Sequence, residues 1–94
     1  MSIFPTGGRR ADSALYLKRS AEKELEELPQ RIHDKIVVAL LSLKDNPLPR
    51  NARKLHGREG VRIRVGNYRV LYIVDDARKT IEVISVADRK EVYR

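Results

Sequence analysis

The chain has no cysteine and no tryptophan. Without thiols it can build neither a disulfide framework nor a thiolate zinc site. Histidine is scarce too: His33 and His56 stand far apart and form no ligand spacing, so only carboxylates remain as metal ligands. No apolar run approaches the roughly 18 residues that cross a bilayer. The opening MSIFPTGGRRAD lacks the apolar stretch of a secretory signal. A cytoplasmic protein that needs no metal or other cofactor is the expectation. Nucleophile elbow, phosphate-cradling glycine loop and Cys–His pair are all missing, which removes the commonest hydrolase and nucleotidyl-transfer signatures.

What is present is apolar matter for one core and an excess of positive charge. Ninety-four residues with 41 % hydrophobic content make a single small domain. The net charge of +7 is unevenly spread. Residues 1–49 carry 8 Lys and Arg against 7 Asp and Glu; residues 50–94 carry 12 against 6, and 9 of those 12 are Arg. The guanidinium is a flat fork of donors that fits a phosphate with two hydrogen bonds, so an arginine-rich excess points to a polyanionic partner.

Periodicity orders the chain. Met1 to Asp12, with Pro5, Gly7 and Gly8, has no apolar period and reads as a flexible extension, leaving 13–94 as the domain. Ala14 to Leu17 suits a first strand. Ser20 reads as the N-cap of a helix whose apolar stripe is Ala21, Leu25 and Leu28, and Pro29 ends it. The acidic run Glu22, Glu24, Glu26, Glu27 reads as its solvated face. A second helix runs from Gln30 to Lys44, with Ile32, Ile36, Val37, Leu40, Leu41 and Leu43 as its apolar side, and Asn46-Pro47 stops it. Residues 46–60, rich in Pro, Gly and Arg, form a loop anchored by Leu55. The period then switches to two. Val61-Arg62-Ile63-Arg64-Val65 alternates strictly, Gly66-Asn67 turns the chain, and Tyr68–Val74 is a central strand with Tyr68 and Tyr72 in the core. Thr80–Val86 is the last strand. The prediction is an α+β domain of order β-α-α-β-β-β: an N-terminal strand, a helical hairpin covering one face, then a three-stranded antiparallel meander.

Alternation leaves Arg62 and Arg64 on the uncovered face. If the hairpin closes at Gly66-Asn67, residue 64 lies opposite residue 69, which brings Arg69 beside them. Arg89 and Tyr93 follow the last strand. Such a constellation suits phosphodiester cleavage, because guanidiniums fixed beside the phosphoryl oxygens stabilise the charge that grows when a 2′-hydroxyl attacks phosphorus. A tyrosine can stack a base and hold the backbone next to it. A merely solvated strand face also alternates apolar with charged residues, so the pattern alone does not establish chemistry.

These residues resemble a known family. Arg62-Ile63-Arg64-Val65-Gly66-Asn67-Tyr68-Arg69-Val70-Leu71-Tyr72 is similar to the basic-x-basic, G-x-Y-R-x-x-Y core of the RelE/ParE toxin superfamily. Val86-Ala87-Asp88-Arg89-Lys90-Glu91-Val92-Tyr93 resembles its ending, and Ser20–Leu25 and Lys54-Leu55-His56-Gly57 fit as well. The resemblance implies a RelE-like fold and, for RelE-type members, a metal-independent endoribonuclease that cleaves mRNA in the ribosomal A site. By that resemblance Arg62 and Arg64 contact the phosphate and help activate the 2′-hydroxyl. Arg69 stabilises the phosphorane, Arg89 supports the leaving 5′-oxygen, and Tyr93 stacks on a base. Lys54, with Arg53, Arg58 and Lys90, is assigned to RNA contact only. It further implies three partners: ribosome, mRNA and a cognate antitoxin.

Two positions depart from the pattern. Arg stands at second-strand positions where Lys occurs in the family, and a guanidinium cannot serve as a general base. Asp88 stands where His or Lys is common. Two other functions share the fold: a ParE-like inhibitor that blocks DNA gyrase by binding, and an RNA-binding module without catalysis.

Overall fold

The structure, a computed structural model, describes residues 13–88. Its elements are β1 (Ala14–Leu17), α1 (Arg19–Glu26), α2 (Gln30–Leu43), β2 (Arg53–Lys54), β3 (Val61–Val65), β4 (Tyr68–Asp75) and β5 (Thr80–Asp88). They form one five-stranded sheet in the order β1-β5-β4-β3-β2. The expected meander is there: β3, β4 and β5 pair antiparallel in succession. β1 runs parallel to β5, so the sheet is mixed rather than wholly antiparallel. The long connection between them, through both helices and then β2, β3 and β4, permits this, since parallel neighbours cannot be joined by a tight turn. β2, inside the segment expected to be all loop, adds a fifth strand along β3. It is two exposed cations with no alternation to betray it, the composition that protects a sheet edge from further pairing.

Both helices cover one face of the sheet. Ala21 and Leu25 of α1, Ile36, Leu40 and Leu43 of α2, and Val61, Ile63, Val70, Tyr72, Ile81, Val83 and Val86 of the strands form a single buried cluster. Leu28, Ile32 and Val37 pack at its margin, whereas Leu41 is 43 % exposed. α1 starts one residue before the expected cap. Lys18 holds the cap position without a side-chain bond, because its N–H closes the β1–β5 pairing on the Val83 carbonyl at 2.9 Å and the chain turns into helix at once. Ser20 therefore lies inside the first turn.

Three contacts fix the frame. Tyr72, fully buried, donates its hydroxyl to the Pro47 carbonyl at 2.6 Å, tying the segment after α2 to the central strand; burial pushes this phenol up to about 12. Glu24 is not on a wet face: its Oε1 accepts the Val86 N–H at 2.8 Å. β1 pairs only with residues 80–83 of β5, so this carboxylate serves the strand edge just past the point where β1 ends. Leu55, expected to anchor the loop to the core, is half-buried outside the core cluster and closes the loop on itself, its N–H bonded to the Gly60 carbonyl at 3.0 Å. Gly60 has φ +132°, and a Cβ there would stand 3.0 Å from the Leu55 side chain.

β5 carries a bulge. Leu71 pairs with Ser85 and Tyr72 with Val83, leaving Ile84 without an opposite number. The extra residue reverses the alternation, so Val86 faces the core together with Val83 and Ile81.

Candidate functional site

The candidate site is the sheet face that the helices leave open, at the end bounded by Gly66-Asn67. Gly66 has φ +61°, the sign that a two-residue hairpin turn can require at its first central position. With the turn so placed, β3 and β4 register as Val65 to Tyr68, Arg64 to Arg69 and Ile63 to Val70. Ile63 and Val70 are buried in the core, and so Arg64 and Arg69 share the open face. One row further on, Arg53 of β2 pairs with Arg62 of β3, and Arg62 with Leu71 of β4.

Two pairs of like charges therefore stand directly across from one another, Arg64 with Arg69 and Arg53 with Arg62, in adjacent rows roughly 7 Å apart along the strands. Like charges in directly opposed positions destabilise a sheet. The continuing positions of these rows on β4 and β5 are Leu71, Ser85 and Ala87, none of them acidic. Asp88 pairs with Tyr68 and so falls by register on the opposite face from the arginines. An anion laid across the two rows would meet guanidinium donors from both.

The four arginines are not equivalent. Arg64 and Arg53 are exposed, Arg62 is half-buried, and Arg69 is only 7 % exposed. Arg53 is held against its own loop, its Nη1 donating to the Ala52 carbonyl at 3.0 Å and the Arg50 carbonyl at 3.2 Å. A buried guanidinium loses little further freedom when it meets a ligand, which is what a group positioned for a transition state requires. Arg64 and Arg62 keep the freedom to gather a phosphate.

The structure thus brings Arg62, Arg64, Arg69 and Arg53 onto one face. It does not bring Lys54 there. Lys54 pairs with the core residue Val61 and so lies toward the helical side. There Lys54 and Arg58 line a groove of about 310 Å³ with Leu48, Leu55 and Val74, at the sheet end remote from the turn. Arg89, Lys90 and Tyr93 lie outside the described residues. His56 is exposed. Among the described residues no three His, Cys, Asp or Glu side chains gather where they could hold a metal ion, and no helix is long and apolar enough to cross a membrane.

A helix-backed mixed sheet with an arginine cluster beside its central turn defines a class of small basic α+β proteins, and comparison with known proteins places the chain within that class. The family model of the ParE toxin of the type II toxin–antitoxin system parDE matches residues 15–93. The toxin RelE of Mycobacterium tuberculosis is 33 % identical over 81 residues, spanning 80 % of this chain and 79 % of that protein. Among solved structures, the toxin–antitoxin complex RelBE2 of M. tuberculosis superposes with a TM-score of 0.75 at 28 % identity, covering 83 % of this chain and 99 % of the matched one. The archaeal RelE–RelB complex of Pyrococcus horikoshii gives 0.76 at 26 %, covering 83 % and 96 %. The chain belongs to the RelE/ParE superfamily and is a toxin of a toxin–antitoxin system.

Proposed function

We propose that this toxin is a ribosome-dependent endoribonuclease that cleaves mRNA in the A site without a metal ion. The observation that carries the reading is the pair of opposed arginine couples on the open sheet face, Arg64 with Arg69 and Arg53 with Arg62. A fold selected for stability alone has no reason to keep four guanidiniums in two facing pairs. In the proposed reaction the 2′-hydroxyl of one nucleotide attacks the adjacent phosphorus, and the bond to the 5′-oxygen of the next nucleotide breaks. The products are a 2′,3′-cyclic phosphate end and a 5′-hydroxyl end. Arg62 and Arg64 gather the phosphate, and Arg69, already ordered, meets the charge that builds on the phosphoryl oxygens. Arg89 and Tyr93 keep the roles that the resemblance implies, support of the leaving oxygen and stacking of a base. The guanidiniums stay protonated, so the proton of the 2′-hydroxyl goes to an acceptor outside this row, the departing 5′-oxygen takes its proton from water, and the ribosome holds the substrate in line.

A cognate antitoxin keeps the toxin silent. RelE proteins are held by RelB in the solved complexes, and a chain with this charge and an open arginine face suits an acidic amphipathic segment. The segment covers the arginine row or displaces the C-terminal tail. A complex that leaves the row open and the toxin active refutes this.

The matched family model also favours a second reading, since it describes ParE: inhibition of DNA gyrase by binding alone. Primer extension on translating ribosomes with added toxin separates the two. Ends within A-site codons support the nuclease; intact messages together with inhibited supercoiling support the gyrase inhibitor.

A further inference from the structure

The open face holds a second feature that the arginine row does not use. Tyr16 of β1 is 57 % exposed, while Tyr72 is fully buried and Tyr68 half-buried. Tyr16 pairs with Glu82 of β5, and Glu82 pairs with Ile73 of β4. Leu15 and Leu17, the residues on either side of Tyr16, pack against the core, and the Glu82 neighbours Ile81 and Val83 are buried in it. Tyr16 and Glu82 therefore stand side by side on the open face, one row beyond the row of Arg62 and Leu71. Between them and the arginines the floor is Leu71 and Ile73, both half-buried.

We propose that Tyr16 and Glu82 form a base-recognition subsite for single-stranded RNA, with guanine as its preferred base. The proposal rests on the RNA-cleaving reading for its occupant. Three strand spacings and one two-residue step separate Arg62 from Tyr16, roughly 16 Å at ordinary sheet dimensions. A few nucleotides of extended strand cover that distance, with phosphates on the arginines and bases over the apolar floor. The Tyr16 ring supplies a stacking surface, which every base can use. Glu82 supplies the selection. A carboxylate accepts hydrogen bonds and donates none. The Watson–Crick edge of guanine presents two adjacent donors, N1–H and the N2 amino group, which suit its two oxygens. Adenine and cytosine present one amino donor next to an acceptor, and uracil one imino donor between two carbonyls. A carboxylate on an RNA-binding face repels phosphate, so Glu82 also keeps the backbone on the arginine side and leaves a base as the group that approaches it.

The test is binding of short uridine-rich RNA oligomers carrying one guanine or one adenine, read by fluorescence anisotropy at fixed low salt, with cleavage on ribosomes measured in parallel. Wild type is expected to favour the guanine oligomer. Tyr16→Ala should weaken its binding about tenfold, whereas Tyr16→Phe, which keeps the ring and the fold, should bind like wild type. Glu82→Gln should abolish the preference for guanine without weakening the adenine complex. Equal binding of both oligomers by wild type overturns the proposal, as does unchanged guanine affinity in both Tyr16→Ala and Glu82→Gln. If those two variants bind like wild type while the wild type cuts A-site codons, the subsite is wrong and the nuclease reading stands. If the guanine preference is present and depends on Tyr16 and Glu82 but no message is cut, the subsite stands and the nuclease reading fails.

Discussion

The two faces of the sheet are built by one set of strands under opposite rules. On the packed face Val61, Ile63, Val70, Tyr72, Ile81, Val83 and Val86 are all at most 7 % exposed, and the one polar group among them, the Tyr72 hydroxyl, has its acceptor on Pro47. On the open face the same strands place Arg62 and Arg64 next to those residues and set Arg64 against Arg69 and Arg62 against Arg53. The first face obeys every rule of burial and hydrogen bonding. The second breaks the rule against opposed like charges. A local conflict of this kind, in a fold that is consistent elsewhere, is what the proposed binding role of this face predicts.

Mutation should split the faces cleanly. The largest effect belongs to the packed side: Tyr72→Ala should cost about 3–5 kcal/mol, seen as a lower urea midpoint or failure to fold. Next come Arg62→Ala and Arg64→Ala, which should leave stability within about 0.5 kcal/mol of wild type while lowering ribosome-dependent cleavage on the order of 100-fold. Wild-type stability in either variant with undiminished growth arrest would refute the catalytic assignment. The Tyr72 phenol then gives a pH signature. Its folded value of about 12 lies above the ordinary value of 10.0, so above pH 10 the unfolded chain releases the proton more readily. Stability should therefore fall between pH 10 and pH 12, by on the order of 2 kcal/mol. In Tyr72→Phe that share of the decline should vanish. Glu24→Ala should cost about 1–3 kcal/mol by stranding the Val86 N–H, and Glu24→Gln, which keeps an acceptor, less. The smallest effect is that of Gly66→Ala, about 1 kcal/mol, through positive φ alone, because a Cβ there meets nothing within 4 Å.

The arginine face was legible in the chain for a plain reason. Alternation along β3 and the two-residue turn at Gly66-Asn67 are local signals, and together they set the register that brings Arg69 opposite Arg64. The parts that escaped depend on distant partners. β2 is two cations whose strand character exists only through β3. The parallel seat of β1 beside β5 is decided at the far end of the chain. Glu24 reads as one acid in a run of four until β5 brings the Val86 N–H to it. Lys54 and Arg53 are neighbours in a basic loop, and only their pairing with Val61 and Arg62 sends them to opposite faces. The acidic neighbour of Tyr16 is likewise invisible before the strands are ordered.

The unpaired Ile84 has a consequence for how relatives of this chain compare with it. Upstream of that residue the odd-numbered positions of β5 are the inward ones, and downstream the even-numbered ones are. Loss of Ile84 would remove the bulge and leave every later position its partner and its face, with Val86 still inward and Ala87 outward. An alignment that sets a gap elsewhere in β5 would therefore match inward residues with outward ones over part of the strand. Homologues are best brought into line by the bulge itself, and conservation read on either side of Ile84 should be counted in two separate phases.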